Sequence, residues 1–174
     1  MELKLFVRYV LPMHLVQLIT GILPNTDVTS RIRGNMMRPF FKKCEPGFRI
    51  GVRNIINRPD KIEIGKNVYI SHHCYLNGTG GLKIEKDCMV GPMSVIVTSK
   101  HLYEQGKVQQ KSVPSSVIIK QGSWLASHVV INAGVVIESG VTVAAGAIVL
   151  KSAPKDTIIG GVPAKVIKEQ EKGS

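Results

Sequence analysis

Residues 119–149 read IKQGSWLASHVVINAGVVIESGVTVAAGAIV, and their spacing decides the fold. Counting in sixes from Ile119 reaches Leu125, Ile131, Ile137, Val143 and Val149, every one aliphatic. Four residues after each of the first five stand Ser123, Val129, Val135, Val141 and Ala147, all small or β-branched. At the third offset come Gly122, Gly134, Gly140 and Gly146, with His128 as the interruption. A period of six matches neither a helix nor a simple alternating strand. It fits short strands separated by tight turns, each turn presenting one aliphatic side chain inward. Three such units close one coil, roughly eighteen residues, of a triangular parallel β-helix. Gly and Asn at the corners permit backbone angles that a β-branched residue resists.

Working outward, the same count holds in three-step runs: Ile50, Ile56, Ile62; Ile64, Ile70, Leu76; Ile84, Val90, Ile96. Cys74, Cys88 and Ser94 take the small positions there. The class is therefore all-β, with a repeat over about 47–160 and five to six coils. The chain divides into a helical, apolar segment (1–46), the β-helix (47–168) and a tail (169–174). Stacked coils leave unpaired edges at both ends, so the amino-terminal helices and the residues after Pro163 are the expected caps. One stretch breaks the count. Residues 99–117 (SKHLYEQGKVQQKSVPSSV) are polar and carry Pro114. A loop pushed out of a regular solenoid is the expected place for function, and it carries His101.

Composition narrows the field. At 174 residues the chain fits one domain. Aromatics are 5%, so Ile, Val and Leu must fill the interior. Three cysteines without a C-x-x-C pair argue against a zinc ribbon or dithiol motif and suit a reducing compartment. The net charge of +11 is uneven: residues 1–61 hold eleven Lys/Arg against four acids, and all seven arginines lie at or before Arg58. That suggests an anionic partner or a subunit contact for the amino-terminal part. Basic residues without interleaved aromatics argue against nucleic acid.

Residues 3–23, LKLFVRYVLPMHLVQLITGIL, are apolar with a helical rhythm, and Pro12 would start or kink a helix. Lys4, Arg8, His14 and Gln17 argue against a membrane span, and Leu23-Pro24-Asn25 is a poor signal-peptide cleavage site. Two readings stay open. The segment forms one or two helices packed on the main domain or a neighbour, or it lies on a membrane surface with Lys4 and Arg8 at the headgroups.

The text of the chain resembles the hexapeptide-repeat acyltransferases, in particular the maltose/galactoside O-acetyltransferase branch and its surface-polysaccharide relatives. Thr98-Ser99-Lys100-His101 followed by Glu104 is similar to that family's T-x-x-H-x-x-[D/E] loop. Trp124-Leu125-Ala126 resembles its W-I-G, and Gly161-Val162-Pro163-Ala164-Lys165 its closing G-x-P-A-[K/R]. The resemblance implies a left-handed β-helix, acetyl-CoA as co-substrate without a metal, a sugar or glycan hydroxyl as acceptor, and a homotrimer with sites between subunits. It also implies a cytoplasmic enzyme, and the apolar amino-terminal segment adds a place at the inner face of the membrane.

The implied chemistry is acetyl transfer to a hydroxyl that is a poor nucleophile at neutral pH. A base must remove its proton, and histidine suits this with an ordinary pKa near 6.5. His101 is that base in the resemblance. Glu104 or a backbone carbonyl would orient its second ring nitrogen. Ser127 would sit at the thioester and its oxyanion. Trp124 and Ala126 would wall the pantetheine channel, with Ala144, Ala145 and Gly146 small enough for an extended arm. Lys151, Lys165 and Lys168 would meet the CoA phosphates. For the acceptor, His72 is the first candidate, because Cys74 points inward and His72 lies on the turn side; Asn77 is the second. A zinc hydratase on the same β-helix would need a histidine pair five apart, which is missing. A non-catalytic scaffold and a serine O-acetyltransferase-like enzyme remain as alternatives.

Overall fold

The computed structural model describes residues 3–170. Three faces of parallel strands build the body. The first face stacks β1 (Lys43–Cys44), β4 (Ile62–Ile64), β7 (Leu82–Ile84), β12 (Val117–Ile119) and β15 (Val136–Ile137). The second holds β2 (Arg49–Ile50), β5 (Tyr69–Ile70), β8 (Met89–Val90), β13 (Trp124–Leu125), β16 (Thr142–Val143), β18 (Thr157–Gly161) and the antiparallel β19 (Ala164–Glu169). The third holds β3 (Ile55–Asn57), β6 (Tyr75–Asn77), β9 (Val95–Ile96), β14 (Val130–Ile131) and β17 (Ile148–Val149). From β1 to β9 and from β12 to β17 each successive strand moves to the next face, so three strands close a coil and five coils stack. The fold is a left-handed parallel β-helix, as the hexad spacing and the resemblance together predict.

The hexad fills the hollow. Ile70, Leu76, Val90, Ile96, Ile119, Leu125, Ile131, Ile137 and Val143 are completely buried. Burying each such side chain contributes about 1.5–3 kcal/mol. Cys74, Cys88, Ser94, Ser123 and Ala147 pack behind them, as their small size requires. Two expectations need correction. Ile56 is only half-buried, and Ile62 starts a strand two residues ahead of Ile64 instead of continuing the count. The cause is a 3-10 turn at Pro59–Lys61, which lengthens that corner. Paired strands also begin at Lys43, ahead of the expected start at 47, because Cys44 lies in register beside Ile64.

At the corner between the second and third faces the residues Arg53, His73, Met93, His128 and Gly146 stack, all in the left-handed backbone region. Their conformation is not reserved for Gly and Asn, as the sequence suggested. Each amide from His73 upward donates to the coil below, for example Met93 to the His72 carbonyl at 3.0 Å and His128 to the Pro92 carbonyl at 2.9 Å. These bonds offset the strain, about 1–2 kcal/mol, that a side chain meets there.

The amino-terminal residues form a helical run from Leu3 to Gly21: α1 (Leu3–Leu5), a π turn (Phe6–Val10) and α2 (Leu11–Gly21). The π turn precedes Pro12, which cannot donate to a regular ladder. A third helix, α3 (Asp27–Met37), packs on β2. Thr26 opens it with a reciprocal cap: its hydroxyl accepts from the Thr29 amide at 3.3 Å, and its own amide donates to the Thr29 hydroxyl at 3.0 Å. Gly34 lets α3 approach, since a Cβ there would strike the Phe48 carbonyl. Arg33 is 1% exposed and pins the layers together. Its guanidinium donates to the Thr20 hydroxyl (3.2 Å), the Thr20 carbonyl (3.1 Å) and the Ile50 carbonyl (2.7 Å). At the other end β19 closes the second face, after a cis Val162–Pro163 bond.

Candidate functional site

The loop after Thr98 is a two-stranded hairpin, β10 (Ser99–Glu104) and β11 (Lys107–Pro114). Gln105 and Gly106 both have positive φ, which suits a two-residue turn between twisted strands. Its neck is clamped at the corner between the third and first faces. The buried Thr98 hydroxyl donates to the Asn77 carbonyl (2.7 Å) and accepts from the Gly80 amide (2.8 Å), and the Ser115 amide donates to the Thr98 carbonyl (2.8 Å). Beyond the neck the strands stand in solvent, with Leu102, Tyr103 and Val108 exposed.

His101 lies on β10 opposite Ser112, just before a register shift that re-aims the following residues. Its Nδ1 is 3.0 Å from the Gln109 carbonyl oxygen. A carbonyl only accepts, so the neutral ring carries its proton on Nδ1 and leaves the Nε2 lone pair outward. The hydrogen-bond acceptor at Nδ1 is thus a backbone carbonyl. Glu104 instead sits at the hairpin tip, paired in register with Lys107.

On the second face a groove of about 210 Å³ is lined by Tyr69, Ser71, Met89, Gly91, Pro92, Trp124, Ala126 and Ser127. Register explains the grouping: Tyr69, Met89 and Trp124 are direct neighbours on adjacent strands. Trp124 is 50% exposed, a large ring presented rather than packed. Beside this column runs a second one of small residues. The amides of Ser71, Gly91, Ala126 and Ala144 donate in turn to Val90, Leu125, Val143 and Ile159, which puts each one coil above the last. A Cβ on Gly160 would sit 3.0 Å from that of Ala144, so the small-residue path runs on to the last coil. Ala145 and Gly146 turn the corner above Ser127, with the Gly146 amide on the Ser127 carbonyl at 2.9 Å.

The three lysines separate. Lys165 lies opposite Gly160 on β19, at the head of the small-residue path, and Lys168 lies opposite Ile158. Lys151 follows β17, at the corner between the third and first faces. His72 is half-buried at the other corner, its Nδ1 3.2 Å from the Ser71 hydroxyl and 3.5 Å from the Asn25 amide nitrogen. Its ring meets His73 edge-on at 5.6 Å. The Asn77 side chain accepts from the Thr79 amide at 2.8 Å, at the hairpin neck. Sequence reasoning missed Tyr69, Ser71 and Met89. The signal was present, since each sits at a hexad offset that puts it in the same column as Trp124 or Ala126.

The hairpin and the groove therefore leave one chain at different corners, and no described hydrogen bond or ring contact joins His101 to Trp124. Among the described residues, no group of three His, Cys, Asp or Glu side chains gathers as a metal site.

The coiled body shares its fold with solved hexapeptide-repeat acetyltransferases. The chain is similar to the galactoside O-acetyltransferase of Escherichia coli K12, at 29% identity over 62% of this chain and 54% of that protein. It is similar as well to the putative colanic acid biosynthesis acetyltransferase WcaF of the same strain, at 28% identity over 83% and 78%. Among solved structures, a maltose O-acetyltransferase from Clostridium difficile 630 superposes with a TM-score of 0.82 at 22% identity, covering 98% of this chain and 90% of its own. A galactoside acetyltransferase in complex with coenzyme A gives 0.81 at 21% identity, covering 97% and 84%. No family model matches the chain. It spans about half the length of the first of these relatives.

Proposed function

We propose that the protein transfers acetyl from acetyl-CoA to a hydroxyl of a sugar or glycan precursor, as a homotrimer. The observation that carries this reading is the exposed His101 ring, held through Nδ1 by Gln109 so that Nε2 is free to take a proton. The acceptor oxygen attacks the thioester carbon as its proton passes to Nε2 of His101. The tetrahedral intermediate then expels the thiolate, the C–S bond breaks, and the imidazolium returns the proton to sulfur. The products are an O-acetyl ester and free CoA thiol. Ser127 supplies a donor to the oxyanion. The column of Ala126, Ala144 and Gly160 accepts an extended pantetheine beside Trp124, and Lys165 at its head meets anionic groups.

A trimer is supported by the separation of hairpin and groove within one chain. Cyclic symmetry lets the hairpin of one copy reach the groove of the next. The similarity to galactoside O-acetyltransferase and to WcaF supports a saccharide acceptor, and the apolar amino terminus favours one carried at the cytoplasmic face of a membrane.

The test is thiol release from acetyl-CoA over free sugars, nucleotide-linked sugars and lipid-linked sugars. Replacing His101 with alanine lowers kcat by about 10²–10⁴-fold. Undiminished turnover in that variant removes His101 as the base, and turnover confined to free sugars removes the membrane-borne acceptor.

A further inference from the structure

The helical layer that caps the first coil leaves one face uncovered. Along the run from Leu3 to Gly21, Leu3, Val7, Leu11, Leu15 and Leu18 are exposed at helical spacing, and Ile22 just beyond is 86% exposed. The opposite side carries Met13 and Thr20, buried against the body. Helix α3 adds Val28, Ile32 and Met36, spaced by four and all exposed, while Ser30, Arg33, Gly34 and Met37 face inward. Two helices thus present apolar surface outward, an inversion of the pattern expected for soluble helices.

Charge identifies what covers this face. Residues 3–26 contain Lys4 and Arg8 and no carboxylate. Asp27, the first acid after them, is paired with Arg31 (2.9 Å) and Arg49 (2.7 Å). A second copy of the chain laid on this face would set cations against cations. A bilayer with anionic headgroups satisfies both features at once: acyl chains take the leucines and isoleucines, and headgroup phosphates take Lys4 and Arg8. The helical run is also long and apolar enough to cross a membrane. Spanning, however, would break the bonds from Arg33 to Thr20 and expose Met13 and Arg33.

We propose that residues 3–37 form a docking platform that lies in the plane of an anionic membrane surface, built from both helices and held to the coils by Arg33. The platform ends close to the acceptor side of the groove. Asn25, two residues beyond the exposed Leu23, contacts His72, which in turn contacts the groove residue Ser71. A trimer would present three platforms, and multivalent attachment strengthens weak single contacts.

Vesicle flotation with the full chain tests this, using phosphatidylcholine alone against the same lipid with about one-third phosphatidylglycerol. The native protein floats with the anionic vesicles and is released by high salt. Lys4→Gln with Arg8→Gln weakens binding by about fivefold per cation, so about 25-fold together. Leu15→Glu with Leu18→Glu and Ile22→Glu abolishes flotation while circular dichroism and thermal midpoint stay native, since all three positions are exposed. Failure of the native protein to float on anionic vesicles overturns the proposal. So does flotation of the triple-glutamate variant, or resistance of the native protein to alkaline carbonate extraction, which marks a spanning helix. An oligomer that dissociates in the triple variant shows that a second copy covers the face, and that result overturns it too. The platform is independent of the transferase chemistry: loss of thiol release with intact flotation sinks only the latter.

Discussion

Replacing Arg33 with methionine tests whether one buried guanidinium holds the helical cap to the coils. Methionine keeps an unbranched apolar stem and removes the donors. The three bonds lost run from Arg33 to Thr20 and Ile50, at 2.7–3.2 Å. Each charged donor is worth about 1.5–3 kcal/mol, and desolvation of the guanidinium offsets several kcal/mol of that sum. That desolvation also lowers the pKa of Arg33 from the ordinary arginine value. In the variant, however, the Ile50 carbonyl stays buried without its Arg33 donor, at about 1–3 kcal/mol, while the Thr20 carbonyl keeps the Leu23 amide at 3.2 Å. The expected loss is therefore about 3–5 kcal/mol, concentrated in the amino-terminal layer. In a chain of this size that lowers the thermal midpoint by about 10 °C. Urea titration followed by circular dichroism measures the loss. Limited proteolysis should cut between Gly21 and Phe40 before any coil. A variant within about 0.5 kcal/mol of the native protein, or one whose coils are cut first, would show that packing of Met13, Met37 and Phe48 holds the cap without the arginine.

Three further outcomes follow from the geometry. Trp124 is the single tryptophan, half-exposed in the groove, so acetyl-CoA should shift its fluorescence; Trp124→Ala should raise KM for acetyl-CoA about tenfold with the fold intact, and an unresponsive indole removes it from the channel. Asp60 is held below the ordinary carboxylate range by hydrogen bonds from Arg58 at 2.7 and 2.9 Å. Its contribution is complete above the unfolded value near 3.9 and is lost as pH falls through the lower folded value, so Asp60→Asn should flatten the acid limb of a stability profile below that unfolded value. Burial pushes the Cys44 thiol up to about 12 and that of Cys88 to about 11, and raises that of Cys74. Disulfide-exchange reagents at neutral pH should therefore label none of them rapidly until denaturant is added, and fast labelling of the native chain would show that the coils open.

The coils were legible because the hexad is a direct image of the packing. From Ile119 to Val149 each sixth residue meets the one a coil away, and no insertion disturbs the count. The count failed at Ile62, where Pro59–Lys61 add a turn whose residues carry no aliphatic signature. Helix α3 was illegible for a different reason. Its buried positions are Ser30, Arg33, Gly34 and Met37, while Val28, Ile32 and Met36 face out, so apart from Met37 the polarity expected of a packed helix is reversed. In the site, His101 and Trp124 stood out as rare residues at broken or presented positions. The partner of His101 was undetermined because a backbone carbonyl leaves no trace in sequence, and Glu104 drew attention only as the nearby acid. Tyr69 joins Trp124 through strand register across three coils; its place before Ile70 matches that of Trp124 before Leu125, a signal that shows only when the hexad offsets are compared.

The extrusion at Thr98 leaves the stack above and below it undisturbed. Ile84 still lies beside Ile119, and Ile96 beside Ile131, although the hairpin intervenes in the chain. A cylinder that re-enters register after any detour separates what keeps the protein folded from what it reaches for. Exchangeable cassettes at Thr98–Ser115 can therefore drift in length and chemistry from one descendant to another, and the hydrophobic bore need not change at a single rung.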